Sequence, residues 1–353
     1  MASRSAVGLD IGTTGVRAAE LAFGKTGVTL RRFGQVALPE GAVRDGEVAD
    51  PGLVAKALEQ LWSRTKFRTK KVVIGVANAK VVVRQVDLPW LPLDELRASL
   101  AFHVQDLVPM PVEQAILDFH PLQEMDGEGG HRTVRGLLVA ASREMVNASV
   151  DAVQLAGLQP VMVDLSSFAI LRSMAATDDL GLGAPSEALV DVGATVTNIV
   201  VHQGGVPRFV RILMLGGQDV TVAVAQRMGV TVEEAEGLKQ QAGEAPAASG
   251  SPVETAARIV ENTGTQFVEE VRRSLDYYVA SPGAAPLSRL VLTGGGARLG
   301  GLSDRLSAST QLPVVLGSPM DRLHIGATDL TDAQLDFVAP LAAVPVGLAL
   351  GAA

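Results

Sequence analysis

Short apolar runs bounded by glycine, proline and aspartate alternate along the chain with longer stretches whose apolar residues recur at helical spacing. That alternation predicts an α/β fold. Residues 7–21, 29–38 and 72–76 read as strands of a first sheet. Residues 51–66 read as a helix, with Asp50 as N-cap and Pro51 in its first turn. A different unit opens at 81–87. Its helix spans 93–108, with Leu96, Leu100, Val104 and Leu107 on one face, and strands follow at 116–122 and 134–140 around a glycine loop at 126–130. Residues 81–141 therefore form a strand-helix-strand-strand insertion, after which a helix at 144–156 and a strand at 161–165 return to the first sheet. From Ala188 a second series begins, with strands at 188–192, 198–202 and 209–215 and helices at 218–228 and 231–241. A small-residue loop at 244–252, a long helix at 253–278, a strand at 289–293 and a helix at 302–310 complete it. The apolar tail 337–353 contains Pro340 and Pro345 and reads as a buried small-residue helix, short for a bilayer span.

Two of these segments repeat one another. Gly8-Leu9-Asp10-Ile11-Gly12-Thr13-Thr14-Gly15 and Leu189-Val190-Asp191-Val192-Gly193-Ala194-Thr195-Val196 each carry one aspartate in an apolar strand. Glycine follows at the second position after it and a hydroxyl at the fourth, and a second apolar strand comes next. A duplicated strand-turn-strand can make a two-jawed phosphate clamp. Gly12 and Gly193 let backbone amides approach an anion closely, and Thr13, Thr14, Thr195 and Thr197 can add hydroxyl donors. Asp10 and Asp191 would repel a bare phosphate. They make sense if Mg²⁺ lies between, held through water because magnesium dehydrates reluctantly. The plainer alternative is two hairpins with ordinary turn residues.

Charge and composition narrow the partners. The net charge of −8, with a pI near 5.2, argues against nucleic acid. The absence of cysteine excludes disulfides, thiolate catalysis and cysteine-held iron–sulfur chemistry. A hydrophobic share of 47% over 353 residues suffices for more than one core. The first residues enter a strand at once, leaving no room for a signal peptide, so a cytoplasmic location is expected. His103, His120, His131, His202 and His324 lack metal-ligand spacing.

Further segments suit a nucleotide. Leu290-Val291-Leu292-Thr293 runs into Gly294-Gly295-Gly296, a flat surface on which a purine and ribose could lie. Gly216-Gly217 forms another strand-to-helix turn. Glu236 and Lys239 are helical neighbours, readable as a surface ion pair or as contacts to ribose and nucleotide.

The order of these motifs resembles the actin-like ATPase superfamily. Within it the chain is similar to the PilM-like proteins of type IV pilus assembly. The segment Leu107-Val108-Pro109-Met110-Pro111-Val112-Glu113 through Leu117-Asp118-Phe119 is the most diagnostic, and the stretches 211–221 and 234–239 add to it. The resemblance implies an actin-like (ribonuclease H-like) two-lobed fold with ATP and Mg²⁺ in the cleft. The first lobe takes 1–80 and 142–187, the docking insert 81–141, and the second lobe 188–320 with a helical subdomain at about 222–285; 321–353 closes back on the lobes. It implies Asp10 and Asp191 at the metal, and Gly12, Thr13, Thr14, Gly193 and Thr195 at phosphates. Gly216, Gly217, Glu236, Lys239 and Gly294 to Gly296 would hold the nucleoside. Arg17 stands where the family often has lysine, and Ala194 leaves the second jaw one hydroxyl short. The implied partner is the N-terminal cytoplasmic tail of the inner-membrane protein PilN, with other motor or platform proteins; self-association is compatible with it. For hydrolysis, Asp164 is the one candidate to orient water, against a helix N-cap in which Ser166 or Ser167 competes. A sugar kinase and an FtsA-like filament protein are the rival readings. The tail from 338 lacks the basic residues that a membrane-lying helix needs.

Overall fold

Strand β1 (Arg4–Ile11) turns into β2 (Gly15–Gly24) and then β3 (Gly27–Ala37), an antiparallel meander. The computed structural model describes residues 4–126, 132–175, 186–244 and 248–352. The loop residues 127–130, His131 and positions 245–247 of the small-residue loop lie outside the described residues. Two short strands, β4 (Val43–Arg44) and β5 (Glu47–Val48), pair before α1 (Pro51–Thr65). The Asp50 carboxylate accepts from the Leu53 N–H at 3.0 Å, the expected cap, and Lys66 ends the helix with φ 54°.

After β6 (Lys71–Val76) come β7 (Val81–Pro89), α2 (Leu93–Val104), β8 (Ala115–Asp126) and β9 (Arg132–Ser142). The last three strands form a separate antiparallel sheet in the order β7-β9-β8. Helix α2 buries Leu96, Leu100 and Val104 against Leu88, Phe119, Val134 and Leu138. It ends at Val104, short of the expected 108, so Leu107 leaves the buried face and is 36% exposed. The Leu107 N–H bonds the Val104 carbonyl in a closing turn, and Pro109 and Pro111 bring no amide donors with which to continue.

The first half closes with α3 (Arg143–Leu155), β10 (Gln159–Leu165) and α4 (Ser166–Met174). The second half runs β11 (Ser186–Val192), β12 (Thr197–Gln203), β13 (Val206–Leu213), α5 (Gly217–Met228), α6 (Val232–Glu244) and α7 (Pro252–Val279). It ends with β14 (Leu287–Thr293), α8 (Leu302–Thr310) and β15 (Val314–Leu316). The remainder is β16 (His324–Ile325), α9 (Asp332–Val338) and α10 (Ala343–Leu350).

The duplication seen in the sequence extends to whole sheets. One has the order β10-β6-β1-β2-β3-β16, the other β13-β12-β11-β14-β15. In each, a central strand pairs antiparallel with its hairpin partner and parallel with a distant strand, β1 with β6 and β11 with β14. The register repeats as well. Asp10 lies opposite Arg17, and Asp191 opposite Asn198. The Gly12 N–H donates to Gly15 O at 3.0 Å, and the Gly193 N–H to Val196 O at 2.9 Å.

Helix α4, which periodicity does not single out, joins the two sheets. Its Ala169, Ile170 and Leu171 pack with Val73, Leu189, Val200 and Val291. The C-terminal segment returns to the first sheet: β16 pairs with β3, and α10 packs on β1, β2 and α4. The expected tail helix is broken by a single 3₁₀ turn at Ala339–Ala342 containing Pro340, and Phe337 is exposed. The stretch Asp332–Leu350 is long and apolar enough to cross a membrane by length and composition. Residues Ala343, Val346, Leu348 and Ala349 are nevertheless buried in this fold. The contact is close: a Cβ on Gly8 would lie 2.0 Å from Pro345 O, and one on Gly347 1.8 Å from Ala169 O.

Candidate nucleotide site

Because each hairpin projects from the end of its sheet's central strand, the two turns face one cleft of about 630 Å³. Asp10, Gly12, Thr13, Thr14 and Arg17 line it from one side, and Asp191, Gly193, Ala194 and Asn198 from the other. The jaws touch: Thr13 Oγ1 lies 2.6 Å from Thr195 Oγ1.

The electrostatics of the floor are unusual. Asp191 is 7% exposed, and its carboxyl is pushed up to about 7, first by burial and then by the charge of Asp10. Arg17 and a hydrogen bond from Asn198 pull it partly back. Burial also raises the Asp10 carboxyl, against the Arg17 guanidinium 3.5 Å away. Arg17 Nε is buried without a hydrogen-bond partner among the described residues. Two recessed carboxylates thus share one guanidinium, an arrangement short of positive charge.

The other end of the cleft is built on α5 and α6. Lys239 Nζ lies 2.6 Å from Glu236 Oε2 and donates to Thr221 Oγ1 at 2.8 Å and to Gly217 O at 3.2 Å. Both Glu236 and Lys239 line the cleft; burial raises the Glu236 carboxyl, but hydrogen bonds from Lys239, Thr221 and Gln240 together with the Lys239 charge hold it low. Gly294, Gly295 and Gly296 form the facing wall. Gly294 has φ 85°, and a Cβ there would meet Val192 O at 2.5 Å and Asp191 Oδ1 at 2.8 Å. The missing side chain lets this turn lie directly against the second jaw.

Four sequence-derived candidates stand apart from the lining. Asp164 pairs with Arg172 and accepts from the Leu165 N–H, so its carboxylate is tied into the base of α4. Neither Ser166 nor Ser167 is the N-cap, which is Leu165 without a side-chain bond. Thr197 is fully buried and donates to Leu215 O at 2.7 Å, because its register position turns it away from the cleft. The Gly216 N–H is spent on Asp219 Oδ2 at 2.7 Å. Thr195 is not part of the lining but meets Thr13, which is. Gly217 does line the cleft, but its N–H donates to Gly193 O.

Several lining residues carry no local signal in the sequence. Glu40, Ser166 and the neighbouring Leu341 and Val344 arrive from three separate parts of the chain. Thr221 and Asn198 were readable in part: one stands a helical turn after Gly217, the other at the position matching Arg17 of the first hairpin.

Known proteins are similar to this chain in sequence and fold. A family model described as type IV pilus assembly protein PilM matches residues 8–353. The cell division protein FtsA of Bacillus subtilis (strain 168) is 26% identical over 92% of this chain and 80% of its own length. A chain of the PilM-PilN type IV pilus biogenesis complex superposes with a TM-score of 0.84 at 26% identity, covering 98% of both chains. MreB5 of Spiroplasma citri bound to ADP superposes with a TM-score of 0.54 at 13% identity, over 98% of this chain and 94% of its own, which speaks to the fold alone. The fold is that of the actin-like ATPases.

Proposed function

The chain belongs to the type IV pilus assembly protein PilM family, and from that premise we propose that it is a magnesium-ATP-binding adaptor of the pilus assembly machinery. It docks the cytoplasmic tail of a PilN-like inner-membrane protein and links it to the motor or platform components on the cytoplasmic side. The observation that carries the nucleotide half is the pair of matched turns bringing Asp10 and Asp191 to one cleft. The partner half rests on the likeness, along nearly its whole length, to a chain solved in a PilM-PilN complex.

The residues fit the absent groups. Among the described residues no third carboxylate or imidazole joins Asp10 and Asp191. That suits a cation which keeps most of its water, as magnesium does. When bound, Mg²⁺ would offset the charge of the phosphates and of the two aspartates. Thr13 and Thr14 would hold phosphate oxygens, with Thr195 beside Thr13; Gly12 and Gly193, whose N–H groups close their own hairpins, would leave room for them, and Arg17 would add a fixed charge beside Asp10. Glu236, Lys239 and Gly294 to Gly296 would hold the nucleoside. Phosphate arriving between the jaws must take over from the Thr13–Thr195 contact, so binding changes how the jaws are held together. Asp164 is occupied by Arg172, which favours nucleotide as a switch over rapid hydrolysis.

Two measurements test this reading. Lys239→Ala leaves Glu236 and Thr221 without their shared cation and is expected to weaken ATP binding by about tenfold, the worth of one charged contact. Calorimetry showing unchanged affinity would remove α6 from the site. A synthetic N-terminal peptide of a PilN-like partner is expected to bind with an affinity that differs between the Mg-ATP and nucleotide-free states. Binding in neither state would defeat the adaptor assignment. Sedimentation with Mg-ATP addresses the FtsA-like alternative that the 26% identity raises, since pelleting polymer would favour it.

A further inference from the structure

Resting on the magnesium-nucleotide reading, we propose that Ser167 is a positioning residue for the second jaw, acting through Asn198 to hold Asp191 from across the boundary between the two sheets. The two jaws share a register but not a chemistry. The residue opposite Asp10 is Arg17, whose own charge holds that carboxylate. The residue opposite Asp191 is Asn198, a neutral amide. Asn198 faces Asp191 across the strand pair, and because a carboxylate only accepts it can take only the NH₂ end of that amide, which leaves Oδ1 for another donor. Ser167 Oγ fills that position, donating to Asn198 Oδ1 at 2.9 Å.

Both partners are sealed from solvent, Ser167 fully and Asn198 to 4% exposure. A buried amide with one end unbonded is costly, so Asn198 keeps its pose only while the hydroxyl is present. Ser167 comes from the first turn of α4, whose cap is made without a side chain. Its hydroxyl is therefore spent on the second sheet rather than on its own helix. Helix α4 is also the element through which the sheets pack. A shift of one sheet against the other would move Ser167 relative to Asn198 and loosen Asp191, coupling the metal side of the cleft to the sheets' relative position.

The test is calorimetric titration of ATP with magnesium and with EDTA. Ser167→Ala is expected to weaken Mg-ATP binding about fivefold, the worth of one hydrogen bond, with less than about a twofold change in EDTA. Ser167→Thr should retain wild-type affinity. Asn198→Ala should show a similar magnesium-dependent loss, and adding Ser167→Ala to it should cost nothing more. Ser167→Cys, a weak donor of similar size, replaces the alanine variant if that fails to fold. Unchanged Mg-ATP affinity, an equal loss in EDTA, or additive losses in the double variant would each overturn the relay. Wild-type protein that takes up no ATP in magnesium would instead end the nucleotide reading and the relay with it.

Discussion

Asp191→Asn is expected to make the nucleotide-free protein more stable above neutral pH while removing most of its affinity for magnesium nucleotide. The stabilisation follows from linkage. In the folded state the Asp191 carboxyl is pushed up to about 7 by burial and by Asp10, against an ordinary value of 3.8. Between those limits the native state holds a proton that the unfolded chain has released. Each pH unit of rise in that window therefore lowers stability by about 1.4 kcal/mol. The contribution is fully present below about pH 4 and is lost as pH passes 7. Asparagine carries no such charge and can still meet Asn198. Urea midpoints should accordingly coincide near pH 4 and separate at pH 8, with the variant the more stable. Magnesium nucleotide should raise the wild-type thermal midpoint at pH 8 and leave the variant's nearly unmoved. A variant less stable than wild type at pH 8 would show that the carboxylate is compensated in the free protein by something other than Arg17 and Asn198.

Gly347→Ala is expected to cost about 3 kcal/mol or more, because among the described glycines an added carbon here makes the shortest approach. A Cβ there would stand 1.8 Å from Ala169 O and 2.3 Å from the carbonyl carbon, so it meets backbone that cannot rotate aside. Helix α10 would have to lift from α4. Gly8→Ala tests the same docking from β1, where the new carbon would lie 2.0 Å from Pro345 O and 2.6 Å from Ala349 N. Gly8 precedes Asp10 by two residues on one strand, so this variant should also weaken nucleotide binding. Gly237→Ala is the control. It sits within α6 with nothing inside 4 Å of the added carbon. Helix propensity predicts a gain of about 0.5–1 kcal/mol. Chemical denaturation of the three variants checks the set. A Gly347→Ala midpoint equal to wild type would mean that α10 is not held against α4 in solution.

Both predictions arise where sequence and fold meet unequally. The doubled Asp-x-Gly turn was visible in the chain because strand, turn and strand are local, and alternation of apolar residues reports which face is inside. The N-cap of α1 was visible for the same reason, since Asp50 and Leu53 are three residues apart. The end of α2 was not. Leu107 continues the apolar spacing, and only the chain's turn towards Pro109 takes it off the buried face. The tail reads as apolar and helical, but its partners, Gly8 and Ala169, lie far earlier in the chain.

Local pattern along the chain was thus enough for the α/β alternation, the inserted strand-helix-strand-strand unit and the repetition of an aspartate-bearing hairpin. Tertiary structure alone decided what each polar side chain faces. Thr197 turns to a carbonyl, Asp164 to Arg172 and Ser167 to Asn198, while Glu40 and Leu341 enter the cleft unannounced. The reason is physical. Periodicity encodes which side of an element is buried, a property of neighbours along the chain. A hydroxyl or carboxylate takes its role from whichever donor or acceptor the packing of distant segments brings within 3 Å or so.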